Sequence, residues 1–144
     1  MLQSADESTR GLCVAESRPK VLLVEDSKFL RIANERALSK AGYEVSTAAD
    51  GEEALRVAND KLPDIILLDM LLPKLSGPEV LQALKSNPAT EAIPIIVLSS
   101  LSQRNAEKLK QAGATEYLEK EALDLDKHPD RLAEAIERVL RRCV

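Results

Sequence analysis

The chain has 144 residues, of which 44% are hydrophobic but only 2% aromatic, so we expect one core built from aliphatic side chains. Its 24 acidic and 20 basic residues give a net charge of −4, which argues against nucleic-acid binding by the whole surface. No apolar run approaches the roughly 18 residues of a membrane span. Residues 1–18 lack a basic start followed by an apolar core, so we expect no secretory signal. Two cysteines and one histidine are too few for a disulfide framework or a zinc site, so we expect free thiols in the cytoplasm.

Strand-like and helix-like segments alternate along the chain. Residues 1–18 are polar and lack apolar periodicity, which predicts a disordered N-terminal tail, and residues 19–144 predict a single domain. Short apolar runs predict buried strands, and the segments between them carry apolar residues at helical spacing. The predicted strands cover residues 20–24, 44–48, 65–68, 95–98 and 116–119. The predicted helices begin near residues 28, 51, 77, 102 and 129.

Two helices carry recognisable end signals. Ser27 predicts an N-cap and Gly42 a left-handed end for the first helix, and Asp50 predicts an N-cap for the second. The apolar stripe predicted for the first helix consists of Phe29, Leu30, Ala33, Ala37, Leu38 and Ala41. The stripe predicted for the last helix consists of Leu132, Ala135, Ile136, Val139 and Leu140.

Five β-α units in strict alternation indicate an α/β fold. Right-handed crossovers and short connections then favour a doubly wound (βα)5, flavodoxin-like five-stranded parallel sheet. Five strands, rather than six, favour the strand order 2-1-3-4-5. In such a sheet the carboxyl ends of all strands lie at one edge, where open α/β sheets bind their ligands.

Polar side chains follow four of the five predicted strands at this edge. Taken singly, such residues are more commonly helix caps or surface charges. Their predicted position together at one edge of the sheet favours a functional site. Carboxylates a few ångströms apart repel unless a cation lies among them, and Mg²⁺ prefers oxygen ligands of this kind. A carboxylate can also attack phosphorus, while an ammonium and a hydroxyl can bind the transferring phosphoryl group. The residues concerned are Glu25, Asp26, Asp69, Ser99 and Lys120.

In these residues the chain resembles the receiver domain of two-component response regulators, over about residues 19–142. The single-domain chemotaxis regulators are the members nearest in size. As a set, the family's motifs are highly specific, and all occur here in order. They are the acidic pair Glu25 and Asp26, the phosphoacceptor Asp69, Pro73 and Gly77 after it, Ser99, and Lys120 three residues after the aromatic Tyr117.

The resemblance implies a role for each of these residues. Glu25, Asp26, Asp69 and the backbone carbonyl of Leu71 would hold Mg²⁺. Asp69 would take phosphate from a phosphohistidine on a sensor histidine kinase or a phosphotransfer protein. Ser99 and Lys120 would bind the phosphoryl group, and Tyr117 would swing inward as Ser99 moves.

The resemblance also implies how the signal leaves the domain. The surface formed by the fourth helix, the fifth strand and the fifth helix (the α4-β5-α5 surface of the family) would change its affinity for a downstream effector protein. Mixed charges on these helices are compatible with a homodimer on activation and equally with a solvated face. The chain ends one predicted helix after Lys120, so we expect no attached output domain unless the sequence is one domain of a longer protein.

Two departures from the family pattern lie close to the expected site. Glu121 follows Lys120 where the family usually has proline, and because a non-proline cis bond costs about 2.5–4 kcal/mol, we expect a trans peptide and a differently shaped loop. Leu71 and Leu101 stand two residues after Asp69 and Ser99, positions that flank the path of the hydrolytic water in this family. Apolar side chains cannot orient water, so we expect a long-lived phosphoryl group.

Other classes of protein fit the sequence less well. A receiver-fold interaction module that is never phosphorylated usually lacks the aspartate, the lysine or an acid, all of which this chain has. An aspartyl-nucleophile phosphatase carries a second aspartate at the position of Leu71, so we expect no enzyme. A flavin carrier needs a phosphate-binding loop after the first strand, where this chain has Glu25 and Asp26.

Overall fold

A computed structural model describes residues 18–70, 72, 74–99, 111, 113–119 and 130–142. Its strands are β1 (Lys20–Val24), β2 (Glu44–Ala48), β3 (Ile65–Asp69), β4 (Ile95–Ser99) and β5 (Glu116–Glu119). All neighbouring strands are parallel and form one sheet in the order β2-β1-β3-β4-β5. The predicted fold class and strand order are therefore confirmed.

The first two helices begin at the predicted caps. The Ser27 and Asp50 side chains accept hydrogen bonds from the amides of the first turns that follow them, and Ser76 forms a capping box with Glu79. None of the described helices is long and apolar enough to cross a bilayer. The predicted tail up to residue 17 and the helix predicted from Ser102 lie outside the described residues. The helices are α1 (Lys28–Lys40), α2 (Gly51–Lys61), α3 (Gly77–Ser86) and a C-terminal helix (Arg131–Arg142).

The core consists of two apolar clusters on opposite faces of the sheet. Residues of α2 and α3 cover one face, where Tyr117 packs at the edge of the cluster. Leu38 of α1 and four residues of the C-terminal helix cover the other, which includes Tyr43. Because β3 and β4 are buried along their whole length, the two strands read as continuous apolar runs in the sequence. The predicted stripe of the C-terminal helix is confirmed in Leu132, Ala135, Ile136 and Val139, which are buried, and in Leu140, which is partly buried.

The predicted apolar stripe of α1 is wrong over most of its length. Phe29 is 79% exposed and Leu30 is 37% exposed, and Ala33 and Ala41 also face solvent. In the first half of the helix the inward face instead follows Arg31 and Asn34, each one residue and about 100° around the helix from the predicted Leu30 and Ala33. The prediction is confirmed at Leu38, which is fully buried. The cause is a polar interaction of Arg31. Its guanidinium hydrogen-bonds main-chain carbonyls of the β1–α1 turn, so a residue that the apolar pattern assigned to the outward face of α1 lies on its inward face.

Two glycines let the loop between β3 and α3 approach its neighbours closely. A Cβ on Gly51, at the start of α2, would lie 2.5 Å from the Cβ of Leu75 and 2.6 Å from its carbonyl oxygen. A Cβ on Gly77 would lie 2.6 Å from the Cα of Met70. The Gly77 amide also donates to the Met70 carbonyl at 3.0 Å, which closes the base of the loop. Met70, directly after β3, and Gly77, at the start of α3, are therefore held together by backbone contacts.

The cap of α2 makes stability depend on pH. The hydrogen bond from the Glu53 amide and the nearby Lys74 ammonium lower the pKa of Asp50. A depressed carboxyl pKa gives stability that is present above the unfolded-state pKa of about 3.9 and is lost as the pH falls through the folded-state pKa. We expect Asp50→Asn, which keeps a capping oxygen, to be less stable than wild type near neutral pH, and the difference to disappear at low pH.

Urea unfolding followed by circular dichroism at a series of pH values measures this effect. Asp60→Asn makes the same chemical change in the last turn of α2, where the helix dipole disfavours a carboxylate, and is the matched control. A constant difference between wild type and Asp50→Asn at every pH would contradict the assignment.

Candidate functional site

Strand pairing places the first two acids of the site at the end of β1. The Glu25 amide continues the β1–β2 ladder by donating to the Ala48 carbonyl at 3.0 Å. The Glu25 side chain turns back, and its Oε2 accepts a hydrogen bond from the Ser27 amide at 3.2 Å. Glu25 is 2% exposed, whereas Asp26 is exposed at the mouth of the site. One carboxylate is thus fixed inside the fold and the other faces solvent.

The third acid ends the neighbouring strand β3. Val24 pairs with Leu68 in the β1–β3 register, so Glu25 and Asp69, which follow these two residues, come side by side. Asp69 is 4% exposed. The amide of Met70 donates to the carbonyl of Leu98 at 3.1 Å, which keeps the backbone after Asp69 aligned with β4.

Carboxylate oxygens of the three acids lie within 4.8 Å of one another. Two of these carboxylates are buried, so water screens their mutual repulsion less than it would on an open surface. Clustered oxygen ligands with two or more carboxylates suit a hard divalent cation such as Mg²⁺, which needs few protein ligands and keeps several waters. The donor set therefore fits the cation that the sequence predicted.

The remaining predicted site residues are only partly within the described chain. Ser99 ends β4 and is 1% exposed, and the register pairs Asp69 with Leu98, one residue before it. Tyr117 lies in β5 opposite Val97 and is half-buried. Lys120 and Leu71 lie outside the described residues, as do Leu101 and Glu121. Their roles stay predictions.

Sequence reasoning missed one residue beside the acids. Arg31 is the fourth residue of α1, and its Nη1 lies 3.0 Å from the carbonyl oxygen of Glu25 and 3.5 Å from that of Asp26. The available signal was its position, one helical turn beyond the Ser27 cap, where an inward side chain reaches back over the preceding loop. The apolar stripe predicted for α1 concealed this signal.

Fold and site together define a class: a doubly wound parallel sheet with an acidic cluster, two of whose three members are buried, at the carboxyl ends of its central strands. A family model, the response regulator receiver domain, matches residues 21–137. The chain therefore belongs to the response regulator receiver domain family, a signalling module of two-component systems.

Curated relatives include regulators of several kinds. The chain is 44% identical over 127 residues to a gliding motility regulatory protein of Myxococcus xanthus, covering 87% of this chain and 16% of the relative. It is 40% identical over 124 residues to the transcriptional regulatory protein PrrA of Mycobacterium leprae, covering 85% of this chain and 49% of PrrA. The chain thus spans less than half the length of either relative.

Solved structures agree with the fold over nearly their whole length. The chemotaxis response regulator CheY4 of Vibrio cholerae matches with a TM-score of 0.76 and 34% identity, over 85% of this chain and 99% of CheY4. The receiver domain of the Francisella response regulator 1452 matches with a TM-score of 0.77 and 28% identity, over 88% of this chain and 100% of that domain. The described sheet and helices are therefore those of a receiver domain.

Proposed function

We propose that this receiver domain accepts a phosphoryl group on Asp69 in a reaction that requires Mg²⁺. The observation that carries the proposal is the buried position of Asp69 with its carboxylate oxygens within 4.8 Å of those of Glu25 and Asp26. Such a cluster provides both a nucleophile and the ligands of a cation that can neutralise a phosphoryl group. We place this function in residues 19–144.

The chemistry is the transfer of a phosphoryl group between two proteins. A carboxylate oxygen of Asp69 attacks the phosphorus of a phosphohistidine on a sensor histidine kinase or a phosphotransfer protein. The new O–P bond gives an acyl phosphate as the N–P bond breaks, and the electron pair of that bond stays on the donor's imidazole. Bound Mg²⁺ would supply positive charge to the phosphoryl oxygens. Glu25, Asp26, Asp69 and the backbone carbonyl of Leu71 would hold it.

Other residues would bind the phosphoryl group and transmit its presence. The Ser99 hydroxyl would donate to one phosphoryl oxygen and the Lys120 ammonium would pair with another. Tyr117 would then move inward beside Ser99. The surface that includes β5 and the C-terminal helix would change its affinity for an effector protein, with homodimer formation as a second outcome on the same surface. We place this exchange in the cytoplasm.

The exposed apolar residues of α1 support a protein as the phosphodonor. Phe29, Leu30 and Ile32 are exposed by 79%, 37% and 38%, and they begin three residues after Asp26. Clustered exposed apolar side chains beside a polar site are typical of protein-binding surfaces. A small metabolite would not require them.

Incubation with acetyl phosphate, followed by intact-mass spectrometry, tests the proposal. We expect one phosphoryl adduct in the presence of Mg²⁺ and none when the metal is removed with EDTA. A chain that takes up no phosphate under either condition, and that also takes none from purified phosphohistidine donors, would instead support a receiver-fold interaction module.

The lifetime of the adduct tests the prediction made for Leu71 and Leu101. Because Leu71 and Leu101 cannot position a water molecule, we expect slow hydrolysis in wild type. The double variant Leu71→Asn and Leu101→Asn should lose its phosphoryl group faster, by about 100-fold at most, because an amide can orient water but cannot take its proton, and full general-base catalysis contributes about 10²–10⁴-fold. The decay of the adduct after removal of acetyl phosphate gives the rate. An unchanged rate would show that these side chains do not limit hydrolysis.

A further inference from the structure

We infer that Arg31 is a positioning residue that aligns the Glu25–Asp26 turn for divalent-cation binding. The inference rests on the proposed function, because it concerns the same acidic cluster. It adds a residue that contacts neither the cation nor the phosphoryl group. The observation behind it is the pair of contacts from one guanidinium nitrogen to the carbonyls of both acids.

The turn that carries the two acids is held on several sides. The Glu25 amide is fixed by Ala48 of β2, and the Glu25 carboxylate accepts from the Ser27 amide. The Ser27 carbonyl accepts from the Arg31 amide at 2.8 Å, within the first turn of α1. The contacts of the Arg31 side chain complete this arrangement, because they fix the peptide planes that follow each acidic residue.

Which groups accept hydrogen bonds from the Arg31 guanidinium matters for cation binding. An arginine near three carboxylates can form bidentate ion pairs, which would occupy the lone pairs that a cation needs. Within the described part of the chain, the Arg31 guanidinium donates to main-chain carbonyls instead. Through these two contacts Arg31 does not itself occupy a carboxylate lone pair. Arg31 orients the ligand-bearing turn without competing for its ligands, as outer-shell partners do in other metal sites.

A positioning role and simple electrostatics predict opposite changes in Mg²⁺ affinity when the Arg31 side chain is removed. Removing a positive charge beside an acidic cluster should strengthen Mg²⁺ binding if charge alone matters. Removing an outer-shell contact should weaken it, typically by 10–100-fold. We therefore expect Arg31→Met to raise the Mg²⁺ dissociation constant about tenfold. Arg31→Lys keeps the charge and one donor group, so its dissociation constant should fall between those of Arg31→Met and wild type.

Isothermal titration of the full chain with MgCl₂, at constant ionic strength, measures these constants without any phosphorylation. Arg36→Met is the matched control, since it removes the same charge from an exposed position of the same helix. We expect this control to bind Mg²⁺ as wild type does. Circular dichroism in EDTA establishes that each variant is folded, and if Arg31→Met is not, Arg31→Lys and Arg31→Gln carry the test.

Each outcome separates this inference from the function on which it rests. Weaker binding by the folded Arg31 variants, with normal binding by Arg36→Met, supports the positioning role. Unchanged or tighter binding by the Arg31 variants overturns it and leaves the proposed function intact. Absence of Mg²⁺ binding in wild type overturns the proposed function itself, and the positioning role with it.

Discussion

Asp69→Asn is expected to take up no phosphate from acetyl phosphate, even at saturating Mg²⁺, while remaining fully folded. The amide has nearly the shape of the carboxylate but is not a nucleophile toward phosphorus, so the acyl phosphate cannot form. The change also removes one of three negative charges whose oxygens lie within 4.8 Å. Repulsion in the metal-free site therefore falls, and the thermal midpoint in EDTA should rise.

Intact-mass spectrometry measures the adduct, and thermal unfolding with and without Mg²⁺ measures the second effect. Asp64→Asn is the matched control. It makes the same chemical change at the opposite end of β3, where Asp64 accepts a hydrogen bond from the Lys20 amide at 2.7 Å, and it should be phosphorylated normally. An adduct that persists in Asp69→Asn would place the phosphoacceptor at another residue.

Leu38→Ala is expected to lower the free energy of unfolding by about 2–5 kcal/mol, whereas Phe29→Ala should change it by no more than about 0.5 kcal/mol. Both changes truncate a large apolar side chain in α1 to alanine, the best helix former. Leu38 is fully buried in the cluster beneath the C-terminal helix, and Phe29 is 79% exposed. The difference between them is therefore the loss of burial and the cavity left behind.

Urea unfolding of the two variants under identical conditions measures both values. Equal losses for Phe29→Ala and Leu38→Ala would mean that α1 buries the face predicted from its apolar stripe. That result would also remove the basis for an exposed apolar surface beside the site.

The sheet could be predicted almost completely because strands that are buried on both faces have a recognisable sequence pattern. β3 and β4 read as uninterrupted aliphatic runs, and β-α alternation with five strands restricts the order to very few arrangements. The rotation of α1 could not be predicted in the same way. Its inward face includes Arg31, whose guanidinium hydrogen-bonds the β1–α1 turn, and the buried Asn34, and a periodicity of apolar residues does not detect inward polar side chains.

The site likewise has residues whose placement could be predicted from the sequence and features that could not. Glu25, Asp26 and Asp69 could be placed together from sequence because each directly follows a parallel strand, and strand register fixes the meeting point. The burial of Glu25 and the exposure of Asp26 could not be predicted, because they depend on the turn after β1, which contacts of Ser27 and Arg31 hold in place. The close approaches at Gly51 and Gly77 likewise become evident only when the β3–α3 loop is seen against α2 and Met70.

The separation of Tyr43 and Tyr117 onto opposite faces of the sheet has a spectroscopic consequence. The chain contains no tryptophan and only these two tyrosines, so its near-ultraviolet emission comes from two chromophores in unrelated surroundings. Replacement of Tyr43 by phenylalanine would leave one emitter, located in β5. The protein would then carry a built-in optical reporter of that strand, and no attached dye would be needed to observe it.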